Sequence, residues 1–433
     1  LFFTALWFWQ FQHFQRQQTL KNILFLGLIM ALLLYSKYHG VLVIGFSVLA
    51  HLRVFRLPGF WAASIFGFFL FFPHLYWQYN NGLPSFSYHL SGRDDVWELK
   101  FPLNYLLNQF LVFSPFLFPF LVNALAIPNI RKQRKQESFL ILGFWIFFGL
   151  MTFKGHVEPQ WTAVLSIPIV LVLMEFAQSS EKRMLWTKRM AMVSLAILLV
   201  TRLGIMEGFL TTKKLFGKPD WVYELKEKSM DLPLYFENSY RDVAMYQFYT
   251  GAPATTFTNI DYRKNQFNLL DLEVPFQNQR IMMVGQKKWE CNDCQTLTLS
   301  NGHTVKLKVA ESLQQSENCR LLFENIPEIW PAGDSLELDA ILENPYPFDI
   351  DFGKGNFPLS IAVAFSNGKT WEESIPVVDT GVDRLQILSG ERKKLRLKFR
   401  VPELSGAYLV AFGFRMGNFL PTVNSKSSTV NIE

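Results

Sequence analysis

Cysteine is scarce. The 433 residues hold three, at positions 291, 294 and 319. Cys291 and Cys294 form a C-x-x-C, but there is no second pair, and His303 is the only histidine nearby. A structural zinc site usually takes four ligands, so a zinc ribbon is excluded and a local disulfide or free thiols are expected. The stretch Glu-Cys-Asn-Asp-Cys-Gln shows no strand leading into a helix, which a thioredoxin-like redox motif needs. Leu1 is not Met, the chain opens inside the apolar run 1–11, and no signal peptide is recognisable. The expectation is of an N-terminally incomplete chain. Internal repeats are absent, and before residue 210 charged side chains are thin.

What the first half has instead is apolar and aromatic. Hydrophobic residues make up 50% of the chain and aromatics 16%, and Phe, Leu, Trp and Ile crowd the part before residue 210. A composition break at 211–214 marks the first boundary. A spanning helix needs about 20 apolar residues to cross a hydrocarbon core of about 30 Å. Apolar runs lie at 1–14, 22–35, 40–51, 57–77, 102–127, 138–153, 161–177 and 190–210. The fold expected is a multi-span transmembrane α-helical bundle of about eight segments over 1–210. A small α/β unit over 211–317 and an immunoglobulin-like β-sandwich over 318–433 are expected to follow.

The net charge of +6 would raise nucleic acid as a partner of a soluble protein. Here the early basic residues sit in short clusters between apolar runs, a topology signal, and no nucleic acid is expected. The clusters are Arg16 with Lys21, Arg53 with Arg56, Arg131 to Lys135, and Lys182 to Arg189. Placed together in the cytoplasm, they alternate correctly if 22–51 is two segments broken at Ser36-Lys37-Tyr38-His39-Gly40. That break keeps Lys37 from the bilayer centre, where it would cost about 3 kcal/mol. The Lys37 turn, the loops 78–100 and 154–160, and everything after Leu210 then share the outer side. Pro115 and Pro119 are expected to kink the helix 102–127.

After Leu210 the pattern changes. Residues 221–228 and 242–250 read as helices, and 234–237 and 280–284 as strands. Period-2 alternation or β-rich runs at 335–342, 359–365, 394–401 and 408–415, with turn signals at Gly333 and Gly368, read as the β-sandwich.

Three outer-loop segments carry a resemblance. Residues 32–44, LLLYSKYHGVLVI, resemble the lSKY-a-ll segment of bacterial members of the dolichyl-phosphate-mannose–protein mannosyltransferase family. These are glycosyltransferases of family 39 and its relatives, the aminoarabinose transferases among them. Residues 75–93, LYWQYNNGLPSFSYHLSGR, resemble the family's WN-x-x-NGWPSF-x-FHL-x-R loop, and 156–161, HVEPQW, resemble VEANW. Residues 237–270 resemble a soluble tail found in some of these enzymes. Leu83 stands where the family has Trp, Gln160 where it has Asn, and the β-sandwich is not general in the family.

The resemblance implies a GT-C fold, partial here. It also implies transfer of a sugar from a polyprenyl-phosphate donor to a lipid or protein acceptor on the outer face of the membrane. For a bacterial chain that is the inner (cytoplasmic) membrane, with the C-terminal domain in the periplasm. The family's catalytic aspartate would precede Leu1, so no catalytic residue is assigned and this chain by itself is expected to be inactive. Lys37 and Arg93 become candidate ligands of the donor phosphate, since a surface cation stabilises the leaving phosphate. The alternatives are a snorkelling lysine and a topological arginine. His39, His89, His156, Glu158 and Trp161 become candidates for the substrate cavity, against hydrogen-bonded structural histidines, a Glu158–Lys154 ion pair and an interfacial tryptophan. Tyr240 and Arg263 read as structural. No cofactor is implied outright. A divalent metal occurs in some relatives, and Asp94 and Asp95 are its possible oxygen ligands.

Two other function classes compete. A non-enzymatic transporter of envelope polysaccharide would show polar residues in mid-helix and weak repeats, and neither is seen. A membrane-anchored binding protein would need only one or a few spans.

Overall fold

The computed structural model describes residues 1–81, 83–86, 97–207, 219–366 and 377–433. The chain divides into two compact units, Leu1–Phe209 and Leu210–Glu433.

The first unit is helical: α1 (Phe2–Arg16), α2 (Leu20–Ser36), α3 (Gly40–Ala50), α4 (Pro58–Asn80), α5 (Lys100–Val112), α6 (Phe118–Ala126), α7 (Pro128–Gln133), α8 (Lys135–Met151), α9 (Ser166–Gln178) and α10 (Glu181–Met206). Local chemistry sets the ends. The Thr19 hydroxyl accepts from the Asn22 N–H at 3.3 Å at the start of α2. Ser180 does the same for Arg183 at α10. Pro58 and Pro128 occupy first-turn positions, where a missing N–H costs nothing. The helix expected over 102–127 is not kinked but cut in two. α5 stops at Val112, Ser114 turns through a left-handed φ of 68°, and Pro119 enters the first turn of α6.

These ends overturn the expected multi-span transmembrane bundle. Among the described residues two helices, Pro58–Asn80 and Glu181–Met206, are long and apolar enough to cross a membrane. The 17 residues of α2 and of α8 reach about 26 Å, the 13 of α5 and of α9 about 20 Å, and the 11 of α3 about 16 Å. All fall short of the roughly 30 Å hydrocarbon core. An apolar run of 10–17 residues serves equally as a core helix, and that is its use here. Trp7, Phe11, Phe14, Leu26, Leu140, Phe144 and Phe148 are buried in one cluster. The first unit is therefore a helical unit with its own core rather than an eight-segment bundle, and the partial GT-C bundle implied by the resemblance is corrected with it.

The second unit begins with a mixed sheet, flanked by α11 (Asp220–Lys228) and α12 (Tyr240–Thr250). Its strands are β1 (Leu234–Glu237), β2 (Ala254–Phe257), β3 (Ile281–Gln286), β4 (Gln295–Thr298) and β5 (Thr304–Ala310), in the order β2-β1-β3-β5-β4. The pairs β2–β1 and β1–β3 are parallel, and β3–β5 and β5–β4 antiparallel. Both faces are buried, as a sheet with parallel strands requires. Leu234, Phe236, Met282 and Val284 pack with Trp221, Val222 and Val243 of the helices. Tyr235, Ile281 and Met283, on the alternate positions, join a second core.

That second core continues into the β-rich part of the same unit. Here β6 (Arg320–Phe323), β8 (Ser335–Glu343) and β13 (Arg392–Arg400) form one antiparallel sheet. A larger sheet runs β11-β10-β14-β15-β7, with β7 Ile329–Trp330, β10 Leu359–Ser366, β11 Val377–Asp379, β14 Gly406–Met416 and β15 Ser428–Ile432. A short pair joins β9 (Ile350–Asp351) to β12 (Gln386–Ile387). Trp330, Phe365, Leu397, Phe399 and Phe412 fill the space between the sheets. The register of β8 and β13 sets Arg392 opposite Glu343, Arg396 opposite Asp339 and Lys398 opposite Glu337, and each pair closes to 2.6–3.2 Å. Period 2 thus sorts apolar side chains inward and a charge ladder outward.

Candidate functional site

The chain between α2 and α3 turns over Lys37-Tyr38-His39. Lys37 ends α2 in an extended conformation, with its N–H donating to Leu33 O at 3.1 Å, and Gly40 N–H closes the turn on Lys37 O at 2.8 Å. Gly40 is required by space: a Cβ there would stand 2.7 Å from the Leu33 carbonyl oxygen.

A cavity of about 240 Å³ opens at this turn. Ser36, Lys37, His39 and Gly40 line one side, Phe3 and Thr4 of α1 another, and Gln160, Trp161, Ala163 and Val164 a third, with Leu33 and Val43 beneath. Three of the residues singled out in the sequence, Lys37, His39 and Trp161, meet here. The His39 ring lies 5.4 Å from Trp161 and 5.3 Å edge-on to Phe148, and Phe148 lies 5.6 Å from Trp161. His39 thus stands within an aromatic cluster on the cavity wall, while Lys37 is exposed on the lining.

His156 and Glu158 are not on the lining. The His156 ring sits 6.3 Å from Phe101, and Glu158 precedes the short turn Pro159–Trp161, its carbonyl accepting from the Trp161 N–H at 3.0 Å. The ion pair with Lys154, an alternative for Glu158, is not formed among the described residues. His89, Arg93, Asp94 and Asp95 lie outside the described residues. Tyr240 accepts a long hydrogen bond from the Arg263 guanidinium at 3.4 Å.

The structure adds a polar chain that sequence reasoning missed. Tyr38 points away from the cavity toward α4, its hydroxyl 2.5 Å from His74 Nε2. The Gln78 amide donates to the Tyr38 hydroxyl at 2.8 Å and to Ser85 Oγ at 2.9 Å, and Gln78 Oε1 accepts from the Ser85 N–H at 3.3 Å. The segments 32–44 and 75–86, each part of the family resemblance, are therefore joined through Tyr38, His74, Gln78 and Ser85. The signal was present as spacing: Phe71, His74 and Gln78 recur on one face of α4.

The C-x-x-C proves to be a local disulfide between Cys291 and Cys294, and Cys319 is a buried free thiol. Asp293 lies beside the pair, with ligand atoms within 4.8 Å. A metal does not fit that group, because the sulfurs are bonded to each other and the Lys308 ammonium holds the Asp293 carboxylate at 2.7 Å.

The second unit carries its own buried polar group where the mixed sheet meets the β-rich part. Glu317 accepts from the Thr258 N–H at 2.7 Å and from the Asn268 amide at 2.8 Å. Burial, with the Glu273 carboxylate adding to it, pushes the Glu317 carboxyl up to about 8. Glu273 accepts from the Tyr346 hydroxyl at 2.6 Å and from Asn318 at 2.9 Å, and burial raises it as well.

No protein-family model and no curated protein matches this chain. Among solved structures, the alkylpurine DNA glycosylase AlkC of Pseudomonas fluorescens is 12% identical over 27% of this chain and 30% of its own, with a TM-score of 0.19. A β-glucosidase of Listeria innocua is 14% identical over 34% and 20%, at 0.20. The CARDB domain of PF1109 from Pyrococcus furiosus is 12% identical over 27% and 92%, at 0.16. This chain spans less than a third of the length of the first two, and likeness at such scores carries neither fold nor function across.

Proposed function

We propose that the first unit binds the phosphate and lipid of a polyprenyl-phosphate-linked sugar, and that the chain is part of a membrane glycosyltransferase, without transfer activity by itself. The observation that carries this reading is the cavity at the α2–α3 turn. A lysine stands on a lining that is otherwise mostly apolar and aromatic, with Leu33, Val43, Val164 and Trp161. An amphiphilic anion matches it: the ammonium faces the phosphate, the aliphatic side chains face isoprenoid carbon, and the indole offers a face to the sugar. Membrane contact has its own support. Trp61, Phe68, Phe69 and Phe72 on α4, and Leu195, Leu198, Leu199 and Val200 on α10, are exposed and would need covering by lipid or protein.

In the transfer, the bond from the anomeric carbon to the phosphate oxygen breaks. The acceptor oxygen bonds to that carbon, its proton passes to a general base, and polyprenyl phosphate leaves. Lys37 would stabilise the charge that grows on the departing phosphate. No carboxylate lines the cavity among the described residues, so the base is left unassigned.

Binding of a polyprenyl phosphate to the full chain in detergent tests the reading. A charge-assisted contact is worth about 1.5–3 kcal/mol, so Lys37→Ala should weaken binding roughly ten- to a hundredfold, while Lys37→Arg keeps most of it. Wild-type affinity in Lys37→Ala would sink the assignment.

A further inference from the structure

The first unit has a second cavity at the opposite end of α3. His39 stands just before that helix and His51 just after it, about 18 Å apart along its axis. This cavity, of about 690 Å³, is lined by Gln15 from the end of α1, by His51, Leu52 and Arg53, by Leu57 before α4, and by Lys135.

Its lining includes two cations and no carboxylate. The acidic groups near Lys135 are already engaged. Arg134 holds Glu175 at 3.1 Å and Glu137 at 3.7 Å. Arg53 and Lys135 make no ion pair among the described residues; the Lys135 ammonium has only the Phe139 ring, 5.9 Å away. Lys135 also opens α8, a 17-residue helix whose first N–H groups and dipole favour an anion. His51 is half-buried, and burial, with Lys135 adding to it, lowers its pKa. At neutral pH its ring is uncharged, with one N–H to donate. Exposed Leu49, Leu52 and Phe55 surround this polar floor with apolar surface.

We propose that this cavity binds a phosphate group, with Arg53 and Lys135 as its charge partners and His51 as a neutral donor. The same chemistry is offered by the headgroup of an acidic phospholipid and by a soluble phosphate monoester. A basic pocket between helices at a membrane surface suits a headgroup. The site is separate from the Lys37 cavity and does not depend on the reading given to it.

Native mass spectrometry of the full chain in detergent tests the proposal, with phosphatidylglycerol, phosphatidylcholine and glycerol phosphate as probes. Phosphatidylglycerol should be retained well above phosphatidylcholine. The Arg53→Gln/Lys135→Gln double variant should lose about tenfold of that retention. Arg131→Gln/Lys132→Gln removes the same charge from exposed positions off the cavity and should leave it unchanged. Glycerol phosphate binding as tightly as the lipid, with the same response to the two variants, would assign the phosphate to a soluble ligand. Equal retention of both lipids together with no binding of glycerol phosphate overturns the proposal, as does equal loss in both double variants. Should the cavity variant fail to fold, the comparison of the three probes on the wild-type chain still decides it.

Discussion

Glu317 is a residue whose surroundings change its chemistry. Its ordinary value is about 4.3, and in the fold it is held up to about 8. The folded state keeps the proton that the unfolded chain gives up. The stabilising contribution is therefore complete below about pH 4, falls as pH rises toward 8, and is gone above it. Several pKa units at 1.36 kcal/mol each would give about 5 kcal/mol, and relaxation around the charge reduces this to roughly 2–4 kcal/mol. Hydrogen exchange of the full chain, read at β2 and β6 and corrected for intrinsic rate, should show weaker protection at pH 8.5 than at 5.5. Glu317→Gln cannot ionise and should flatten that slope, even though its amide meets the Asn268 donor and costs some stability at every pH. A slope unchanged in the variant would assign the pH response elsewhere. Neither this group nor its neighbour Glu273 was legible in the sequence. Each is an ordinary glutamate until the sheet and the β-rich part close around it. The turn at Lys37 was legible, because a lysine interrupting an apolar run has few places to go.

At the scale of elements, α2 and α4 cross at glycine. A Cβ on Gly27 would stand 2.5 Å from the Ala63 carbonyl oxygen, and one on Gly67 would stand 2.8 Å from that of Gly27. The obstacle is backbone, so the helices must separate to admit even a methyl. Gly27→Ala should cost about 1–3 kcal/mol, against the small gain in helix propensity that alanine brings at an open position. A lower melting temperature of the full chain in detergent checks this; an equal or higher one would mean the helices part freely. The crossing also pins the end of α4 that carries His74 and Gln78, so the variant should weaken the Tyr38 network. Strands were the elements best read from sequence. The runs expected at 335–342, 359–365, 394–401 and 408–415 appear as Ser335–Glu343, Leu359–Ser366, Arg392–Arg400 and Gly406–Met416. Alternation reports a strand with one face in a core, as in Ser335–Glu343 and Arg392–Arg400, whereas Leu359–Ser366 is buried almost throughout and was read from its β-rich composition. The apolar helices were misread for the converse reason. A run such as 40–51 has the same composition whether lipid or Phe144 and Phe148 cover it, and only its length, cut by turns and capping residues, separates the cases. His74 was lost in the same way, as a polar position inside a run taken whole, and Gln78 as the first residue of what was read as a loop.

For the whole molecule, the two helices capable of spanning make different demands. α4 is partly buried in the first unit, and Arg53 and Arg56 precede it. α10 has no buried residue along its 26 positions, and it begins with Lys182, Arg183, Lys188 and Arg189. If α10 spans, those four cations favour the cytoplasm at its start, together with the Arg131–Lys135 cluster. The second unit would then begin on the other side, where its disulfide can persist. The native cysteines make this easy to test, since two are bonded to each other and Cys319 is buried. A cysteine at Lys398, exposed on the outer charge ladder, should react with a membrane-impermeant maleimide in intact cells. One at Gln133, within the basic cluster, should react only after the membrane is opened. Labelling of both in intact cells, or of neither, would mean that α10 does not carry the chain across. The sugar-transfer reading on the outer face would then lose its geometry, because its acceptor would lie on the other side of the membrane from the second unit. The phosphate cavity at Arg53 and Lys135 would survive that outcome, since either leaflet can present an acidic headgroup.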